Sequence, residues 1–171
     1  MSTGQEVWSL AMRLSEEVGS PLSRAEIEII GTDVSGPCVE TAKAGRYGHF
    51  DVQKGLSIHR LMTNFDRLES GDWQVKDGLG DKLYFRRHNL MESAHELGQF
   101  DIIICRNVLS GMARPMQRQV ADRIAAQLLP GAFFFAAPGE TIFGVSETLV
   151  PSRDVRGAYI RDTSAKTTEA A

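Results

Sequence analysis

Apolar residues recur at Val7, Leu10, Ala11, Leu14 and Val18, the three-and-four spacing of a helix that buries one face. A helix is predicted over residues 5–18, closed by Gly19-Ser20-Pro21. The pattern then changes. Ile27-Glu28-Ile29-Ile30-Gly31-Thr32-Asp33 is an apolar run that stops at a carboxylate, and Val34-Ser35-Gly36-Pro37 turns it into a second helix over residues 37–44. Buried parallel strands end this way in doubly wound sheets. Gly45-Arg46-Tyr47-Gly48 closes that helix. Residues 51–69 carry Val52, Leu56, Leu61, Met62, Phe65 and Leu68 at helical spacing, interrupted near Gly55-Leu56-Ser57. Strands are predicted at 73–76 and 82–89, parted by the turn signals Asp77-Gly78 and Gly80-Asp81.

A short helix is expected at 92–97, before the most continuous strand pattern, Phe100-Asp101-Ile102-Ile103-Ile104-Cys105. Pro115 opens a helix to residue 129, with Met116, Val120, Ile124 and Leu128 on one face, and Pro130-Gly131 stops it. A buried strand at 132–137 and an antiparallel hairpin of 148–150 with 158–160 complete the pattern. Alternating strands and helices predict an α/β domain over residues 1–160, its sheet mostly parallel with an antiparallel edge. Residues 161–171 are small and polar and read as a disordered tail.

Composition narrows the chemistry. The 171 residues carry a formal net charge of −3 and no basic run long enough to track a phosphate backbone, so no nucleic-acid partner is expected. Cys38 and Cys105 lie far apart and outside any C-x-x-C pair, as in a reduced, cytoplasmic protein. The longest apolar run, residues 131–138, is too short to insert across a bilayer, and no signal-peptide pattern opens the sequence.

In an open parallel sheet, ligands gather outside the carboxyl ends of the strands. The predicted tips carry Asp33, Asn89-Leu90, Arg106-Asn107-Val108 and Pro138-Gly139-Glu140. An acid at such a tip can accept both hydroxyls of a ribose. Equally, Asp33 could do no more than cap the next helix. No nucleophile–base pair is present. None of His49, His59, His88 and His95 falls on a tip, and Cys105 lacks a partner base. No catalytic residue and no metal site is therefore assigned. The pattern suits a nucleotide-type cofactor cleft in which positioning carries the catalysis.

Taken in order, these segments resemble the chemotaxis-receptor glutamate O-methyltransferases, the CheR type of S-adenosylmethionine-dependent enzymes. Ser2-Thr3-Gly4-Gln5-Glu6 with Ser9-Leu10-Ala11-Met12 is similar to the family's glycine loop and first helix. Gly31-Thr32-Asp33 with Ala42-Lys43-Ala44-Gly45-Arg46-Tyr47 is similar to its ribose-binding strand and following helix. Asn89-Leu90, then Phe100-Asp101 through Cys105-Arg106-Asn107-Val108-Leu109, resemble its next two strand ends. Leu129-Pro130-Gly131 through Gly139-Glu140-Thr141 resembles its L-x-P-G-G…G-x-x-E segment. The likeness spans residues 2–144.

The resemblance implies a Rossmann-like class I methyltransferase fold and S-adenosyl-L-methionine as cofactor. Glu6 and Asp33 would contact it, Asp33 through the ribose hydroxyls. Asn89 and Leu90 would lie near the adenine, and Asn107 and Val108 near its middle. The implied substrate is a glutamate of a chemoreceptor cytoplasmic domain, methylated by a monomer in signal transduction. A receptor-contacting insertion is expected within about residues 52–85, reduced because only 73–75 and 83–85 look strand-like. No apolar run precedes the glycine loop, so the first central strand and the family's N-terminal helical domain are expected to be missing, and the chain to be marginally stable. Where the family carries a Tyr-Phe pair, this sequence has Ser110-Gly111-Met112. Two alternatives stand beside this reading. One is a non-catalytic cofactor-binding or signalling module derived from that family. The other, a dinucleotide oxidoreductase, is weakened because no G-x-G-x-x-G precedes the first helix.

Overall fold

The chain enters its first helix, α1 (Gln5–Ser15), through Gly4 at φ 93°, a left-handed conformation open to glycine. A Cβ there would also lie 2.6 Å from the Cβ of Ala42. The computed structural model describes residues 1–142 and 144–162. It divides into two compact units, Met1–His88 and Asn89–Ala171.

In the first unit α1 buries Val7, Trp8, Ala11 and Met12 along one face. The helix ends three residues short of the expected position. Val18 is 88% exposed, so no packing favours extending it. β1 (Ile29–Asp33) leads into α2 (Gly36–Ala44), which ends on left-handed Gly45. β1 pairs in parallel with β5 (Leu83–Arg87), in a register that sets Asp33 against Arg87.

The segment between them departs from the predicted helix over 51–69. It forms two short helices, α3 (His49–Val52) and α4 (Ile58–Asn64), and then the strand β3 (Phe65–Arg67). Together with β2 (Arg46–Tyr47), expected to be a turn, and β4 (Trp73–Val75), it builds a three-stranded antiparallel sheet of order β2-β4-β3. The small sheet is therefore fuller than expected, and Leu83–Arg87 belongs to the parallel pair instead. Tertiary packing is the cause. Phe65, Tyr47, Trp73 and Val75 bury into one cluster with Trp8, Met12, Val52 and Leu61, and short apolar runs fit either period.

The second unit is a four-stranded sheet of order β6-β7-β9-β8. β6 (Phe100–Ile104) and β7 (Leu128–Phe135) run parallel, with a register shift between Phe100 and Ile102. β8 (Leu149–Pro151) and β9 (Ala158–Arg161) form the expected antiparallel hairpin at the edge. Arg161, expected in the tail, pairs with Leu149, whereas residues 163–171 of that expected tail lie outside the described residues. α5 (Arg114–Gln127) covers the sheet with Val120, Ala121, Ile124 and Ala125, against Phe134, Leu128, Ile142 and Leu149. Only a 3₁₀ turn, His95–Leu97, stands where a short helix was predicted.

Both units thus combine parallel strand pairs with covering helices, as an α/β fold requires. Within its unit β1 pairs only with β5, and β6 only with β7, so each keeps one open edge among the described strands. Among the described residues no helix is long and apolar enough to cross a membrane.

Candidate functional site

The tip of β1 presents Asp33, whose carboxylate is held by backbone donors. Ser2 N–H donates to Oδ2 at 2.8 Å and Ser35 N–H donates to Oδ1 at 3.0 Å. The Met1 ammonium lies 3.6 Å from Oδ2. Partial burial raises the carboxyl's pKa, but the Ser35 and Ser2 amides and the ammonium outweigh it and hold Asp33 below the ordinary aspartate range. Each oxygen accepts one of these amides; Oδ1 keeps a second lone pair for another donor, while Oδ2 also faces the Met1 ammonium. The capping alternative is answered by Ser35. It is Ser35, not Asp33, that sits at the N-cap of α2, where its hydroxyl accepts from Cys38 N–H at 3.4 Å.

Glu6 lies in the first turn of α1, half-buried. The turn before it is fastened by Tyr47, whose hydroxyl donates to the carbonyl of Thr3 at 2.8 Å. Burial pushes the Tyr47 phenol well above its usual pKa, so it stays a neutral donor. Sequence reasoning passed over Tyr47 because nothing local ties it to a residue 44 positions earlier. A cleft of about 480 Å³ in the same unit runs among Trp8, Gly45, Val75, Gly80 and Phe85 and touches neither Glu6 nor Asp33.

In the second unit, β6 ends in Cys105, whose N–H donates to Phe135 O at 2.9 Å. Asn107 follows at φ 58°, a left-handed conformation uncommon for a residue with a side chain. Its side chain is exposed, while Val108 is half-buried and packs on the core of the unit. Glu140, just beyond β7, receives three backbone donors on one carboxylate. Asn107 N–H lies 2.7 Å and Ala137 N–H 3.2 Å from Oε2, and Ser110 N–H lies 3.0 Å from Oε1. Burial raises the Glu140 pKa, but the Ser110, Asn107 and Ala137 donors win and lower it. Sequence reasoning placed Glu140 at a tip without giving it a role. Beyond its place in the segment resembling L-x-P-G-G…G-x-x-E, nothing local to Glu140 names its partners.

Asn89 and Leu90 do not end a strand as predicted. β5 stops at Arg87, and Asn89 opens a turn in which its side-chain oxygen accepts Met91 N–H at 3.0 Å. Leu90 packs against the same core as Val108. Cys38 and Cys105 are not joined in a disulfide. Among the described residues no three His, Cys, Asp or Glu side chains gather closely enough to hold a metal ion.

Comparison with known proteins adds a family. The model described as CheR methyltransferase, SAM binding domain, matches residues 1–155. The chain is 37% identical over 143 residues to chemotaxis protein methyltransferase 1 of Pseudomonas aeruginosa, a match covering 82% of this chain and 52% of that protein. It is 34% identical over 148 residues to chemotaxis protein methyltransferase Cher2 of Pseudomonas putida, covering 85% and 54%. With chemotaxis protein methyltransferase 1 of Vibrio cholerae the identity is 35% over 147 residues, covering 85% and 54%. The chain spans about half the length of these curated relatives.

Proposed function

The chain belongs to the CheR methyltransferase SAM-binding family, and from that premise we propose that it binds S-adenosyl-L-methionine for methyl transfer to glutamate carboxylates of chemotaxis receptors. The observation that carries this reading is the Asp33 carboxylate. It stands at the end of a parallel strand, held ionised by two amides, and once a ligand takes the place of the Met1 ammonium at Oδ2 it can accept two hydroxyls. A vicinal diol is the ligand group that such an acceptor pair suits. Glu6, Asp33, Asn89, Leu90, Asn107 and Val108 are the residues assigned to the cofactor, as the family resemblance implies.

When bound, the cofactor supplies a methyl group activated by a sulfonium. The residues of this chain need only bind, orient and exclude water, so no side chain is named as catalytic. The antiparallel sheet β2-β4-β3 is the element assigned to a chemoreceptor cytoplasmic domain. The protein is taken to work in the cytoplasm as a monomer, without nucleic acid and without membrane insertion.

A second reading, a cofactor-binding module without transfer activity, is favoured by Ser110-Gly111-Met112, which offers no phenol in the 3₁₀ turn Leu109–Gly111. Transfer of labelled methyl from S-adenosyl-L-methionine to a receptor cytoplasmic fragment separates the two. Label that appears, and disappears when the receptor's acceptor glutamates are replaced by alanine, supports the enzyme. Cofactor binding with no label on the receptor supports the module.

A further inference from the structure

Asn107 holds an unfavourable backbone conformation in the open, at φ 58° and exposed, at the end of β6. Among the described residues, the Glu140 carboxylate receives Asn107 N–H at 2.7 Å and Ser110 N–H at 3.0 Å. These donors lie 33 and 30 residues earlier in the chain. Its third donor, Ala137 N–H at 3.2 Å, belongs to the loop that carries Glu140, and Glu140 N–H in turn donates to Ala137 O at 2.9 Å. The carboxylate is thus anchored at the end of β7 and reaches to the loop after β6. Those two strands are parallel neighbours, so the two loops leave the sheet at the same end.

We propose that Glu140 is a positioning residue for the cofactor, tying the 106–111 loop to the end of β7 so that Asn107 keeps the conformation in which it meets the ligand. The role rests on the functional reading above, since it presumes that Asn107 is a cofactor contact. An acid suits it better than an amide. A carboxylate is acceptor-only, and both oxygens here face N–H donors. A glutamine would turn one of them into an NH₂ group facing an N–H, leaving that donor unpaired. The loop could then relax from the left-handed conformation, which an L-residue leaves readily when nothing holds it.

The test compares the full chain with E140Q by amide NMR and by titration with S-adenosylhomocysteine. In the wild type, the Asn107 and Ser110 amides exchange slowly although their residues are exposed. In E140Q they lose that protection, while amides within β6 and β7 keep theirs, and affinity for S-adenosylhomocysteine falls by about 10- to 100-fold. A wild type whose Asn107 and Ser110 amides exchange at unprotected rates overturns the proposal without any variant. So does an E140Q chain that binds within about twofold of wild type, a difference too small for a misplaced contact. Loss of β6 and β7 protection in E140Q makes Glu140 a stability residue and also overturns it. A wild type that binds no S-adenosylhomocysteine defeats the functional reading and the proposal with it. The amide arm still reports whether the loops are tied, so the two failures remain distinct.

Discussion

Asp33 and Glu140 are both carboxylates lowered by backbone N–H donors, and that fixes the sign of their pH dependence. A depressed pKa stabilises the fold fully above the unfolded value, about 4 for such groups. The contribution is lost as pH falls through the lower folded value. Urea midpoints should therefore hold steady from neutral pH down to that range and then fall. The fall should be shallower in D33N, and superimposable D33N and wild-type profiles would contradict the assignment. Gly4 is a second residue whose geometry decides an outcome. Gly4→Ala combines φ 93° with a 2.6 Å approach to Ala42, whereas Gly19→Ala at φ 81° meets nothing within 4 Å. Strain alone costs about 1–3 kcal/mol. Chemical denaturation should find Gly4→Ala the worse of the two, and equal losses would mean that packing at Ala42 yields. At this scale the strand end at Asp33 was legible in the sequence, because a carboxylate closing an apolar run is a local signal. The Glu140–Asn107 bond was not, because 33 residues separate the partners and only the parallel pairing of β6 with β7 brings their loops together.

Elements with a strong local signal came through. α5 shows Val120 and Ile124 of its apolar face in the sequence, and β6 its run of isoleucines, but Met116 is exposed and Leu128, read as helical, opens β7, which runs on through the Pro130-Gly131 expected to precede it. Residues 51–69 did not, because Leu61 and Phe65 satisfy a helical spacing while Phe65 in fact starts a strand opposite Val75. The two-residue strand Arg46–Tyr47 is too short to show any period. Phe134 on β7 is fully buried, so Phe134→Ala should cost about 3–5 kcal/mol, read as a lower urea midpoint at unchanged slope. A loss under about 1 kcal/mol would contradict this packing. Ile102 is 56% exposed on β6, which keeps one unpaired edge in its unit. Exposed apolar edge strands favour association between chains, and lysine blunts them. Ile102→Lys should therefore leave stability within about 0.5 kcal/mol and reduce concentration-dependent light scattering. Unchanged scattering would mean that this edge does not drive association.

At the scale of the whole chain, family membership over residues 1–155 and the fold class agree with what the ordered motifs implied. The small antiparallel sheet was the largest departure, and it arose where propensity is weakest and packing decides. Asp33 is assigned to the ribose diol of an adenosyl cofactor, and S-adenosylhomocysteine carries that same diol. Calorimetric titration of wild type and Asp33→Ala with S-adenosylhomocysteine therefore reads the contact. Hydrogen bonds to a charged acceptor contribute about 1.5–3 kcal/mol. One saturable site is expected in the wild type, with an affinity about 10- to 100-fold lower in Asp33→Ala. No binding by the wild type, or equal binding by both chains, would contradict the assignment.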